Sequence, residues 1–197
     1  MYHLSAKLKV NQKQIRLISN EQVILQTKKW ITDIVIGCNF CPFAGKVVKQ
    51  DTVHYKVEAA TTVQECLQSF IKTCILMDED EEAETALIIF PNAFEPFDDY
   101  LDLVSFAESL LKKEGYDGIY QVAGFHPQYR FAGAPVSDAA NYTNRSIYPM
   151  LHILREESID KALEKYPDSD QIPGRNINFA REKGVVYMKM LRDACFG

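Results

Sequence analysis

The stretch Thr85-Ala-Leu-Ile-Ile-Phe-Pro91 decides the fold class. It is a short apolar run closed by a proline, and it reads as a buried strand. Upstream, residues 63–77 place Leu67, Phe70, Ile71, Cys74 and Ile75 at helical spacing, and residues 52–57 read as another strand. Downstream, residues 97–113 read as a helix stopped by Gly115, and residues 118–125 as a third strand. Strand-helix-strand-helix-strand implies right-handed crossovers and a small, mostly parallel sheet in an α/β or α+β domain.

Helices are expected to flank this unit. Asn20 caps a pattern carrying Val23, Ile24, Trp30, Ile31, Ile34 and Val35, and Gly37 ends it. Cys41-Pro42 opens a second short pattern through Lys49, and proline at the first helical position makes Cys41 the expected N-cap. Residues 149–165 read as one helix, and another follows Pro173 to about Lys183. Residues 1–18 suit a short strand or a loose arm. In the 185–197 tail, Val185 to Met190 suits either a terminal helix or a docked strand. No repeat, low-complexity tract or linker divides the chain, so residues 1–197 are expected to form one domain.

The composition excludes several classes. Of the 197 residues, 47% are hydrophobic and 25% charged, as in globular proteins rather than disordered or fibrous ones. A net charge of -5 argues against a nucleic-acid partner. Six of the acids fall between Asp78 and Glu84, without a calcium-loop spacing, and read as a solvated loop. No stretch approaches 18 apolar residues, so no membrane partner is expected. Five cysteines, an odd set behind a polar N-terminus, suggest reduced thiols and a cytoplasmic location.

Residues 118–155 stand apart. They hold three of the seven arginines, none of the 15 lysines, two of the four histidines and a single acid, Asp138. Arginine in place of lysine suits planar, two-pronged contact with carboxylate or phosphate. His126 falls just beyond the third strand, where open α/β sheets place ligands. On the expected helix from Pro149, His152, Arg155 and Glu156 share one face. The plainer alternative is that Arg155 and Glu156 pair with surface groups and His152 bonds a loop carbonyl.

Three segments carry a family resemblance: Cys41-Pro-Phe-Ala44, Phe125-His-Pro-Gln-Tyr-Arg-Phe131 and Asn144-Arg-Ser-Ile-Tyr-Pro-Met-Leu-His-Ile-Leu-Arg-Glu156. Together, across about residues 30–184, they resemble the bacterial family catalogued as domain of unknown function 1415. Where that pattern has proline after Asn-Arg-Ser, this chain has Ile147, and where it has an apolar residue, this chain has Cys38. The resemblance brings no activity with it, so it points to residues and not to a reaction.

Three functional readings remain open at this level. In the first, Cys41 is a nucleophile activated at a helix N-terminus, His126 or His152 is its base, and Arg130, Asn144 and Arg145 orient an anionic substrate. In the second, Cys41, His126 and His152 hold zinc or iron, with Cys38 as a possible fourth ligand. Both readings expect Cys41 and His126 within roughly 8 Å of each other. In the third, the segment binds a small anionic metabolite, or a partner's acidic segment, without turning it over. All three share an anion-recognising pocket built from Cys41, His126, Arg130, Asn144, Arg145, His152, Arg155 and Glu156. Arg145 is the expected centre of that pocket, with the Asn144 amide and Ser146 hydroxyl beside it. No P-loop, Rossmann fingerprint or hydrolase elbow occurs.

Overall fold

The computed structural model describes residues 18–197. The arm expected at residues 1–18 therefore lies outside the described residues, apart from Ile18. Four strands form one sheet: β1 (Val53–Val57), β2 (Thr85–Ile89), β3 (Tyr120–Phe125) and β4 (Met150–Arg155), in the order β1-β2-β4-β3. Among the described residues only the β1–β2 pairing is parallel. The other two pairings, β2 with β4 and β4 with β3, are antiparallel. The fold is mixed α/β, and the expectation of a mostly parallel sheet is corrected.

The correction has one source. Met150 to Arg155 is one of the two inner strands of the sheet, not the start of a helix, and α5 (Glu156–Leu163) begins only after it. A strand flanked on both sides and covered on both faces is apolar throughout, so Met-Leu-His-Ile-Leu lacks the alternation that marks a half-buried strand. The helical face drawn through His152, Arg155 and Glu156 does not exist.

Helices cover both faces. On one lie α3 (Val63–Glu79) and α4 (Phe97–Lys113), whose buried stripes include Phe70, Cys74 and Met77 and then Tyr100, Leu103, Ala107 and Leu111. These pack on Ala86, Ile88, Leu151 and Ile153. Thr62 caps α3 by accepting from the Glu65 N–H at 3.3 Å, in the Thr-x-x-Glu arrangement of a capping box. The other face carries α1 (Asn20–Trp30), a π-helical turn (Ile31–Ile36), α2 (Ala44–Gln50) and α6 (Ile172–Asp193). There Trp30, Ile34, Phe40, Tyr142 and Met188 meet Leu87, Ile89 and Met150.

Local details depart from the sequence reading in small ways. Ser19, not Asn20, caps α1, by accepting from the Gln22 N–H. The tail left open between helix and strand is helical: α6 runs through it, broken at Gly184, where φ is 78°. Among the described residues, no helix is long and apolar enough to cross a membrane.

One glycine is required by packing. A Cβ on Gly124 in β3 would stand 2.6 Å from the Tyr100 hydroxyl, which itself donates to the Met150 carbonyl at 2.6 Å. The absent side chain lets α4 approach the sheet closely enough to tie its first turn to the start of β4.

Candidate functional site

The carboxyl ends of β2 and β3 lie beside the amino end of β4, because Ile89 and Phe125 both pair with Met150. Two connections leave this end: residues 90–96, leading into α4, and residues 126–149, leading into β4. The second is ordered by a 3-10 helix, Ala139–Thr143, every residue of which is buried. Asp138 caps that turn by accepting from the Ala140 N–H, and it also pairs with Arg181 of α6 at 2.7 Å. The Arg181 guanidinium holds the Asp138 carboxyl down to about 2.

Between the two connections lies a cleft of about 550 Å³. Pro96, Phe97, Pro127 and Val136 form its apolar lining; Asp98, Gln128, Arg130 and Arg145 form its polar lining. A volume of this size accommodates a small metabolite.

His126 pins the two walls together. Its Nδ1 accepts from the Gln128 N–H at 2.9 Å, so the ring proton must sit on Nε2, which donates to the Phe94 carbonyl at 2.7 Å. Phe94 has a φ of 60°, a left-handed conformation that disfavours a bulky residue, and the bond from His126 holds its carbonyl in place. The imidazole is fully buried between Phe97 and Tyr100, with ring centroids 5.2 and 4.9 Å away. Burial pushes its pKa down, and the ring stays neutral. Both nitrogens are thus occupied by backbone groups, and neither is free to take a proton from a substrate or bind a metal.

Arg145 is buried, with 8% of its surface exposed, and stacks on Tyr142 at 4.8 Å. Its Nε donates to the Tyr129 carbonyl and one terminal nitrogen to the Val136 carbonyl, both at 3.0 Å. Among the described residues, the other terminal nitrogen has no protein acceptor and no carboxylate lies within 4.0 Å of the guanidinium. Arg130 is exposed on the same cleft and makes no ion pair among the described residues. Behind the cleft, Arg192 donates to the Pro127 carbonyl at 3.2 Å and lies over the Tyr142 ring at 5.6 Å.

The remaining predicted residues do not join Arg130 and Arg145. The Asn144 side chain accepts from Thr143 Oγ1 at 2.9 Å, and its carbonyl takes the His126 N–H. Ser146 is fully buried and donates to the Tyr148 carbonyl, so the expected row of three donors turns inward at both flanks of Arg145. Arg155 and Glu156 belong to the opposite end of the sheet. Arg155 pairs with Tyr120, five residues along from the Phe125–Met150 pair, or about 17 Å away. There Arg155 donates to the carbonyls of Met77 and Ala83 and lies over the Tyr120 ring.

His152 occupies the middle of β4, on the face away from α3 and α4, beside the Phe125 ring. Thr85 Oγ1 donates to the Ile153 carbonyl and, with its proton spent there, accepts from His152 Nε2 at 2.6 Å. Burial drives the His152 pKa down to about 4.

Cys41 does not cap α2; Phe43 stands at that position, and Cys41 offers its carbonyl to the Ala44 N–H instead. The 38–41 turn is fastened to α6 by Asn176, which donates to the Phe40 carbonyl at 2.7 Å, and by Arg175, which donates to the Asn39 carbonyl. Cys38 and Cys41 pack half-buried against the Trp30 cluster, and burial pushes the Cys38 thiol up. Cys41 and His126 therefore sit on opposite faces of the sheet. Among the described residues, no three His, Cys, Asp or Glu side chains come together as metal ligands, so Cys38, Cys41, His126 and His152 do not form the expected set.

The sequence reading missed Pro96, Phe97 and Asp98, the wall opposite the arginines. Their signal was positional: they follow a buried parallel strand, the same argument that singled out His126.

No curated protein and no solved structure matches the chain. A family model described as "Protein of unknown function (DUF1415)" matches residues 22–190. That match covers all four described strands, both walls of the cleft and the six described α-helices except the first two residues of α1 and the last three of α6, and the chain belongs to this family.

Proposed function

We propose that the cleft between α4 and the 127–145 segment binds a small carboxylated or phosphorylated anion, with Arg130 and Arg145 as its cationic wall. The observation that carries this reading is Arg145, a nine-tenths buried residue whose guanidinium lines the cleft without a carboxylate partner among the described residues. An unpaired buried charge is costly, and an anion in the cleft would offset that cost. Arg130, exposed across the same opening, can complete a two-guanidinium clamp.

Binding without turnover is the reading we favour. The thiol mechanism needs Cys41 and a histidine base together; His126 stands on the other face with both nitrogens engaged, and His152, on the Cys41 face, gives its Nε2 to Thr85. A small ligand is preferred to nucleic acid because the chain carries a net charge of -5. Five free cysteines suit a reducing, cytoplasmic setting. Thermal melting with inorganic phosphate, sulfate and citrate tests the reading. At least one should raise the melting midpoint in a saturable way, and a flat response to all three would count against the cleft.

A further inference from the structure

The cleft is not lined by cations alone. Asp98, in the first turn of α4, faces the same space as Arg130 and Arg145. Among the described residues, none of the three makes an ion pair within 4.0 Å, so Asp98 does not neutralise either arginine. The wall from α4 thus presents one carboxylate, and the wall from the 127–145 segment presents two guanidiniums. Phe97, Pro127 and Val136 separate these charges with apolar surface.

Resting on the anion-binding reading, we propose that the ligand is a small amine-bearing acid: a carboxylate or phosphate held by Arg130 and Arg145, and an ammonium group held by Asp98. A simple anion would leave Asp98 facing it as a like charge, which lowers affinity. A ligand carrying both signs satisfies both walls, and one with a single net negative charge balances the two cations and one anion of the lining. The short apolar stretch between the walls suits the carbon chain joining the two groups.

Matched probes test this. Calorimetry compares L-glutamate with glutarate, and O-phosphoethanolamine with ethyl phosphate, on wild type and Asp98→Asn. In at least one pair, the amine-bearing member should bind wild type about tenfold tighter or more, the effect of one charge-assisted contact. Asp98→Asn should erase that advantage, weakening the amine-bearing member while leaving its amine-free partner unchanged or tighter. Asp98 is exposed, and Asp98→Ser serves as a second variant should the asparagine variant not fold. Amine-free members that bind wild type as tightly as their amine-bearing partners, with Asp98→Asn shifting both members of a pair alike, would overturn the amine assignment while leaving the anion site standing. If no probe of either kind binds, both readings fall.

Discussion

His126 Nε2 donates to the carbonyl of Phe94 at 2.7 Å, joining the residue after β3 to the left-handed turn before α4. With Nδ1 taken by the Gln128 N–H, the imidazole ties the cleft's walls together, beside the Gln128 amide, which donates to the Glu95 carbonyl at 3.2 Å. The sequence singles out His126 as a chemical group. In the fold its ring holds backbone, and under the proposed reading it would support binding only through that backbone.

His126→Ala should therefore lower stability and cleft affinity together. It strands a buried carbonyl and a backbone N–H, and opens a cavity beside Tyr100, for a loss of about 2–4 kcal/mol in urea unfolding. A variant as stable as wild type would show that the walls are held by other means.

Stability should fall on mild acidification. Burial holds His126 and His152 neutral in the fold, the latter at about 4, whereas in the unfolded chain each takes up a proton near 6.5. The unfolded state binds more protons across that interval. Stability is then fully present above about pH 6.5 and declines as pH drops towards 4, with His152 contributing at most about 3 kcal/mol. His152→Gln should flatten the profile in this window. An unchanged slope would mean that His152 is not the titrating group.

Gly124→Ala should cost about 1–3 kcal/mol, because the added methyl meets a hydroxyl that is bonded and buried. Tyr100→Phe removes that hydroxyl, so the two substitutions together should cost less than the sum of each alone. Strict additivity in a double-mutant cycle would contradict the close approach of α4 to β3.

How much of this was legible follows from what each segment shows in the sequence. The 85–89 strand and the 97–113 helix were legible because one is a short apolar run closed by proline and the other has a clear 3.6-residue period. Met150–Arg155 was not, since a strand buried on both faces has lost its alternation. Its misreading turned an antiparallel centre into a parallel one and moved Arg155 and Glu156 into the wrong neighbourhood. Arg130 and Arg145 were found by composition, arginine without lysine, which is a chemical signal independent of secondary structure. The fate of His126 was not visible, because nothing in Phe-His-Pro-Gln says that a carbonyl 32 residues earlier waits for its Nε2.

Cys41 gives a separating test. It packs against the Trp30 cluster, on the face opposite His126. Cys41→Ser should leave anion binding within about twofold of wild type, while weakening the fold slightly through the loss of an apolar contact. Abolished binding in a folded Cys41→Ser protein would return the thiol to the site.

The most direct test of the central claim is calorimetric titration of inorganic phosphate and of citrate into wild type, Arg130→Gln and Arg145→Lys. Lysine keeps the charge of Arg145 but loses the planar fork that spans the Tyr129 and Val136 carbonyls and the cleft. Losing one charge-assisted contact removes about 1.5–3 kcal/mol. Saturable binding of at least one anion to wild type is predicted, weakened by one to two orders of magnitude, roughly, in each variant. Arg130→Gln, at an exposed position, should do so without lowering the melting midpoint. Binding that survives both substitutions unaltered, or no saturable binding to wild type at all, would contradict the account.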